Sequence, residues 1–215
     1  MKDTLESLIK KQGSPKAIIN SNRPNIKKVV FDFDEIIALD SEGKITINGR
    51  EIKGNVLEIW QKHIDHLKKE TDPSEIASIG FFSYDFKNYI YRNTDFKKLR
   101  RNTPLLWFGR PKNIKEIHIE DFNTIKQKIN LEEELAKLDQ YKKKIHEIKN
   151  LLFRGEVYQI NYTQPIRYSF KGDSFQLYMQ ISKESDPLFG SYLDIESTQI
   201  LSFSPEKFFT KKGAY

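Results

Sequence analysis

Asp32 and Asp34 stand two apart in the run Val29–Ile37, and carboxylates at that spacing could pair a nucleophile with an acid/base. In a strand both would share one face. Val30, Phe31 and Phe33 supply the packing there, so both aspartates are expected to face solvent. His63 and His66, three apart on a helix, could in geometry share a metal ion. No third ligand lies near them in sequence, and His63 falls on an apolar face; a packed His63 and a solvated His66 are therefore expected. His118 and His146 are isolated, and no glycine-rich phosphate loop occurs. With no cysteine, disulfide frameworks, thiolate metal sites and cysteine nucleophiles are excluded. No metal ligands are assigned in this chain.

The elements that would position these groups are mostly short strands. Leu5, Leu8 and Ile9 recur at helical spacing before Gly13-Ser14-Pro15 stops them. Strands follow through Ala17–Ile19, Val29–Phe31, Glu35–Leu39 and Lys44–Ile47, and Asn48-Gly49 predicts a tight hairpin because both residues accept positive φ. Asn55 is placed to cap a helix presenting Val56, Ile59, Trp60, His63 and Leu67 on one face. Further strands are predicted at Ser78–Asp85, Leu105–Phe108 and Ile114–Ile119. Asn130 with Glu133 forms a capping-box pattern before a long helix carrying Leu131, Leu135, Leu138, Ile145, Ile148 and Leu152, which Gly155 ends. Beyond it, strands are expected over Val157–Phe170, Phe189–Ile195 and Gln199–Phe203, a helix capped by Asp173, and the start of another strand at Lys207–Thr210. Such alternation predicts an α+β fold of antiparallel β-sheets backed by helices, divided near residue 130 into segments 1–130 and 131–215.

Composition narrows the partners. The 215 residues are 38% hydrophobic and 31% charged, enough to bury a core, and the net charge of +6 is scattered rather than gathered into one basic arm. The aromatic residues alternate within strands instead of interleaving with arginine, so no nucleic-acid platform is expected. Met1–Gly13 lacks the continuous apolar stretch of a signal peptide or membrane span, and a cytoplasmic location without a membrane is the expectation.

The run Val29–Ile37 resembles the opening motif of haloacid-dehalogenase-type phosphatases only in part, because Glu35 adds a carboxylate that would repel an incoming phosphate. The C-terminal third carries a fuller likeness. Gly155–Gln164 (GEVYQINYTQ), Asp186–Leu193 (DPLFGSYL) and Ile200–Phe208 (ILSFSPEKF) resemble, in order and spacing, signature segments of the chorismate-utilising enzymes. Asn161 and the Phe-Gly-Ser-Tyr-Leu stretch are more similar to the aminodeoxychorismate synthase component I branch than to anthranilate synthase component I. Upstream, Ile79–Phe86 resembles the family's glycine- and aromatic-rich segment. Ile18-Ile19-Asn20-Ser21 resembles its Leu-Leu-Glu-Ser element, with Asn20 in place of the acid.

The resemblance implies amination of chorismate to 4-amino-4-deoxychorismate, towards 4-aminobenzoate and folate. Ammonia would come from a glutamine amidotransferase subunit, and Mg2+ would hold a substrate carboxylate in the complete enzyme. It makes Glu206 the general acid/base at the departing hydroxyl, a role needing a carboxyl group held partly out of water. It also matches Ser21, Leu188, Phe189 and Gly190 to a tryptophan pocket, which Asn20 deprives of a partner for the ligand's ammonium; packing of Leu188 and Phe189 in the core is the plainer expectation. The family's lysine nucleophile and metal-binding glutamates have no counterpart in these residues. The chain is therefore expected to be the N-terminal portion of such an enzyme, inactive alone, with a missing C-terminal half as partner. Two alternatives stand beside this: a fragment of anthranilate synthase component I, and a non-catalytic module binding tryptophan or the glutaminase.

Overall fold

A computed structural model describes residues 4–20, 25–91, 93–94, 96, 103–119, 122–131, 138–195 and 198–211. Its strands are paired antiparallel throughout, as the α+β expectation requires. Helix α1 (Leu5–Gln12) starts at Thr4, whose side chain exchanges hydrogen bonds with Ser7 in a reciprocal cap. Next come β1 (Ala17–Asn20), β2 (Ile26–Val30), β3 (Asp32–Leu39), β4 (Ile45–Ile47) and β5 (Arg50–Glu51). The β4–β5 turn has Asn48 at φ 49° and Gly49 at φ 76°, the left-handed pair that matches strand twist in a two-residue hairpin. Helix α2 (Val56–Glu70) is capped as expected, the Asn55 side chain accepting from the Leu57 and Glu58 amides.

Strand β6 (Ile79–Phe82) leads through a short turn to α3 (Lys87–Ile90), and β7 (Leu106–Lys112) and β8 (Lys115–His118) follow. The remaining elements are β9 (Ile129–Leu131), α4 (Leu138–Phe153), β10 (Tyr168–Phe170), α5 (Ser174–Ser185), β11 (Phe189–Ile195) and β12 (Thr198–Ser204).

Two compact units result, one of Met1–Thr124 with Tyr178–Tyr215 and one of Ile125–Leu177. The first holds two five-stranded sheets. One runs β12-β11-β1-β2-β8, so the two ends of the chain share a sheet; the other runs β5-β4-β3-β7-β6. Between them pack Ala17, Val30, Leu193 and Ile195 from one sheet and Trp107, Phe33, Ile36 and Ala38 from the other. The second sheet's opposite face buries Ile37, Leu39, Ile45 and Leu106 with Val56 of α2 and Phe86. Complete burial of a side chain such as Ile37 or Leu39 contributes about 2 kcal/mol.

Strand β3 serves both cores by means of a bulge. Asp34 pairs with Arg110 and Ile37 with Phe108, so β3 spends one more residue than β7 over that stretch. Glu35 takes up the excess at φ 48°. The bulge is fixed from two sides. His63 Nε2 lies 2.8 Å from the Glu35 carbonyl, and Asn48 both donates its amide to the Ile36 carbonyl (2.7 Å) and accepts the Ile36 amide on its side chain (2.8 Å).

The second unit departs from expectation. Asn130 is not a helix cap: it lies in β9, opposite Ser169 of β10, and Glu133 lies outside the described residues. Helix α4 is described from Leu138 and does end at Gly155, whose φ of 69° lets the Gly155 and Glu156 amides donate back to the Leu152 and Leu151 carbonyls. None of its residues is buried. The strand expected over Val157–Phe170 is reduced to Tyr168–Phe170. The preceding residues have β-forming side chains but no ladder, and a strand needs a neighbour to receive its backbone groups. Lys207–Thr210 forms no strand for the same reason.

Candidate functional site

Strand β12 delivers Glu206. After Ser204 the chain leaves the sheet, the Ser204 hydroxyl donating to the Glu206 carbonyl at 2.8 Å, and Glu206 itself is exposed. Its neighbour Lys207 holds its ammonium 5.5 Å from the centre of the Phe189 ring. Phe189 opens β11 directly opposite Ser204, so the residues flanking Glu206 meet the start of β11 on both counts.

Leu188 and Phe189 do not pack in the core as expected; they are 73% and 38% exposed. Gly190 is buried, and a side chain there would meet Pro187, Tyr178 and Asn20. Ser21 lies outside the described residues. Of the four residues matched to a tryptophan pocket, the structure thus brings Leu188 and Gly190 against Asn20. The Asn20 carboxamide donates to the Pro187 carbonyl and to the Leu188 carbonyl at 3.2 Å, and accepts from the Lys27 ammonium. Lys27 is 7% exposed; burial pushes its pKa down while Asp186 pulls it back up.

Tyr178 closes the far side of this cluster, fully buried against the Tyr192 and Phe203 rings. Its hydroxyl has no hydrogen bond of normal length, only a weaker interaction with Ser182, and burial pushes the phenol up to about 12. A folded-state pKa above the unfolded value near 10 contributes stability that is complete below about pH 10 and disappears as pH rises to about 12. Tyr178→Phe is therefore expected to change stability by less than about 1 kcal/mol at pH 7. Over that alkaline window the wild type should lose about 3 kcal/mol that the variant retains. Urea denaturation of both chains between these limits measures it; parallel pH curves would refute the assignment.

The other candidates resolve simply. Asp34 does not merely face solvent: Arg110 Nε donates to it at 2.7 Å, and this bond, with the charges of Arg110 and Lys112, holds its carboxyl below the usual range. Asp32 is exposed, with Lys112 at 3.8 Å. Two aspartates tied to cations across β3 and β7 make an ion-pair cluster, not a nucleophile and its acid. His63 is buried and His66 exposed, as expected. Among the described residues no three His, Asp or Glu side chains gather where they could hold a metal ion. No helix among them is long and apolar enough to cross a membrane.

In the second unit, Asn161 lies exposed in the irregular stretch before β10. Tyr162 of the same stretch meets Tyr141 of α4, ring centres 5.8 Å apart, beside an open cavity of about 370 Å³ that Lys144, Thr163 and Gln164 also line. The motif GEVYQINYTQ thus lies along α4.

Residues 113–214 match the chorismate binding enzyme family. The resemblance extends to aminodeoxychorismate synthase component 1. The protein of that name from Escherichia coli (strain K12) is 33% identical over 70 residues, 33% of this chain and 16% of that protein. The Klebsiella aerogenes protein is 29% identical over 70 residues, again 33% and 16% of the two chains. The Salmonella typhimurium (strain LT2) protein is 30% identical over 69 residues, 32% of this chain and 15% of its own length. The matched stretch is thus at most 16% of the length of these relatives.

Sequence reasoning missed Lys27 and Tyr178. A signal existed for the first: in Ile26–Val30 the alternation that buries Val29 also buries position 27, so Lys27 occupies a core-facing place. Tyr178 carried none, because its burial depends on which residues of β11 and β12 the helix meets.

Proposed function

We propose that the chain is the N-terminal portion of an aminodeoxychorismate synthase component 1, with segments 1–130 and 131–215 as its two domain parts. The observation that carries this is the match of residues 113–214 to chorismate binding enzymes, together with relatives of that one name. In this reading chorismate is aminated with ammonia from a glutamine amidotransferase subunit, in the cytoplasm, for 4-aminobenzoate and folate synthesis.

Glu206 protonates the departing hydroxyl. In the chain alone its carboxylate is exposed, whereas a general acid needs a carboxyl group held partly out of water. Catalysis therefore needs a neighbouring surface that withdraws Glu206 from water, which the missing C-terminal half would supply together with the Mg2+ ligands. A tryptophan held by Ser21, Leu188, Phe189 and Gly190 would need an acceptor for its ammonium. The Asn20 oxygen already takes the Lys27 ammonium, leaving Asp186 as the nearby carboxylate.

The test combines the 215-residue chain with the C-terminal portion of the Escherichia coli component 1, chorismate, ammonia and Mg2+. Amination of chorismate is expected from the mixture, background conversion from the chain alone, and loss of product with Glu206→Gln. Conversion by the isolated chain would overturn the division of labour; an active Glu206→Gln mixture would overturn the role of Glu206; anthranilate as product would favour the sister activity.

A further inference from the structure

We propose that Asn20, oriented by Lys27, is the positioning residue that fixes the Pro187–Leu188 turn and, through Phe189, the segment bearing Glu206. The catalytic importance of that segment rests on the proposed function; the mechanical link does not.

Asn20 ends β1 and pairs with Lys27 of β2, so both side chains project from the same face of the sheet. That face is otherwise occupied by Ile18, Val29 and Tyr192, and a lysine inserted among them is costly unless its ammonium finds a partner. The partner is the Asn20 carboxamide.

The chemistry of that contact decides which way the carboxamide points. An asparagine presents an oxygen on one side and an NH2 on the other, and nothing in its shape distinguishes them. The lysine ammonium has donors only, so it admits the oxygen alone. The NH2 is thereby turned towards the turn, where two carbonyls, Pro187 and Leu188, both require donors. A buried lysine thus serves to orient an amide.

Apart from this carboxamide, the turn is held by the burial of Pro187 and Gly190. Asp186 ends α5 at φ 40°, its amide donating to the Ser182 carbonyl at 3.0 Å, and Gly190 closes the turn with a long 3.4 Å bond from its amide to the Pro187 carbonyl. Neither Leu188 nor Phe189 is anchored by burial. Beyond the turn, Phe189 carries the Lys207 ammonium over its ring and pairs with Ser204, whose hydroxyl holds the Glu206 carbonyl. Movement of the turn therefore moves both residues that flank Glu206.

Asn20→Asp separates this role from simple packing. The carboxylate has nearly the same shape and still takes the Lys27 ammonium, but it has no donor for the Pro187 and Leu188 carbonyls and repels them. Amide hydrogen exchange and amide chemical shifts of the full 215-residue chain provide the readout. In Asn20→Asp the Gly190 amide should exchange about tenfold faster or more, and the Glu206 amide resonance should shift, while the Ile37 and Leu39 amides of the other sheet stay protected as in the wild type. Lys27→Met should give the same pattern more weakly, because the amide is then free to turn over.

Unchanged Gly190 exchange in Asn20→Asp would overturn the proposal, as would equal acceleration at Ile37 and Leu39. Faster Gly190 exchange with a stationary Glu206 resonance would overturn the link to the Glu206 segment. None of these readouts involves turnover. Should Glu206→Gln retain activity in the combined assay, the acid/base role would fail while this link was judged on its own data.

Discussion

Replacing Gly80 with alanine is expected to cost about 3 kcal/mol, a large share of the stability of a chain this size. Gly80 lies in β6 opposite Phe108 of β7. A Cβ there would be driven into the Trp107 carbonyl oxygen and would stand 2.5 Å from the Phe108 ring. A flexible side chain can step aside, but a carbonyl in mid-strand cannot move without pulling β7 out of register with β3. The strain must therefore fall on β6, which is at the sheet edge and is the element free to move.

Its displacement disturbs more than one pair. Phe82 of β6 meets Trp60 at 5.1 Å, Phe108 at 5.0 Å and Phe86 at 4.8 Å, so shifting the strand opens an aromatic cluster that seats α2 on the sheet. Urea denaturation should show the loss, and Trp60 fluorescence should report a wetter ring in the native baseline. A variant within about 1 kcal/mol of wild type would mean that β6 tolerates the shift.

The glycine's place in a glycine- and aromatic-rich segment was visible in the sequence; the reason for it was not, because the atoms that exclude a side chain come from residues 107 and 108. The same division between local and distant causes runs through the fold. Asn48-Gly49 and the caps at Asn55 and Asp173 were legible since each depends on backbone groups within a few residues, and the structure has all three. The Asn130–Glu133 pattern had equal local merit, yet Asn130 is in a strand because β10 offers a ladder far along the chain, at Ser169. Hydropathy marked Leu188 and Phe189 as core residues, but it measures what a side chain gains from burial and not whether a surface faces it.

At the candidate site the outcome is similar. Glu206 and Ser204 were singled out by their motif and Phe189 by its strand pattern, whereas the Asn20–Lys27 contact required the pairing of β1 with β2.

The bulge in β3 yields the second large effect. Phe33, Ile36 and Ala38 all face the other sheet, although strict alternation would put Phe33 and Ile36 on opposite faces. One residue between them is surplus. Deleting Glu35 leaves Phe33, Ile36 and Ala38 alternating regularly and removes a non-glycine residue from left-handed backbone, at the loss of the His63 bond to the Glu35 carbonyl. Those changes oppose each other, and the deletion is expected to stay within about 1–2 kcal/mol of wild type.

Deleting Ile36 shortens the strand equally, but it puts Glu35 on the inward face beside Phe33, Ala38 and Trp107. It loses an apolar side chain there and sets a carboxylate against that surface, where the one lysine lining the cavity, Lys16, is already paired with Asp194 at 2.7 Å, so it should be less stable than the Glu35 deletion by about 3 kcal/mol. The pair differs by one adjacent residue in an otherwise identical chain, so unfolded-state effects largely cancel in the comparison. Equal urea midpoints for the two deletions would mean that the strand re-registers instead of keeping its faces, and the bulge would then be a detail of this turn and not what lets β3 serve both cores.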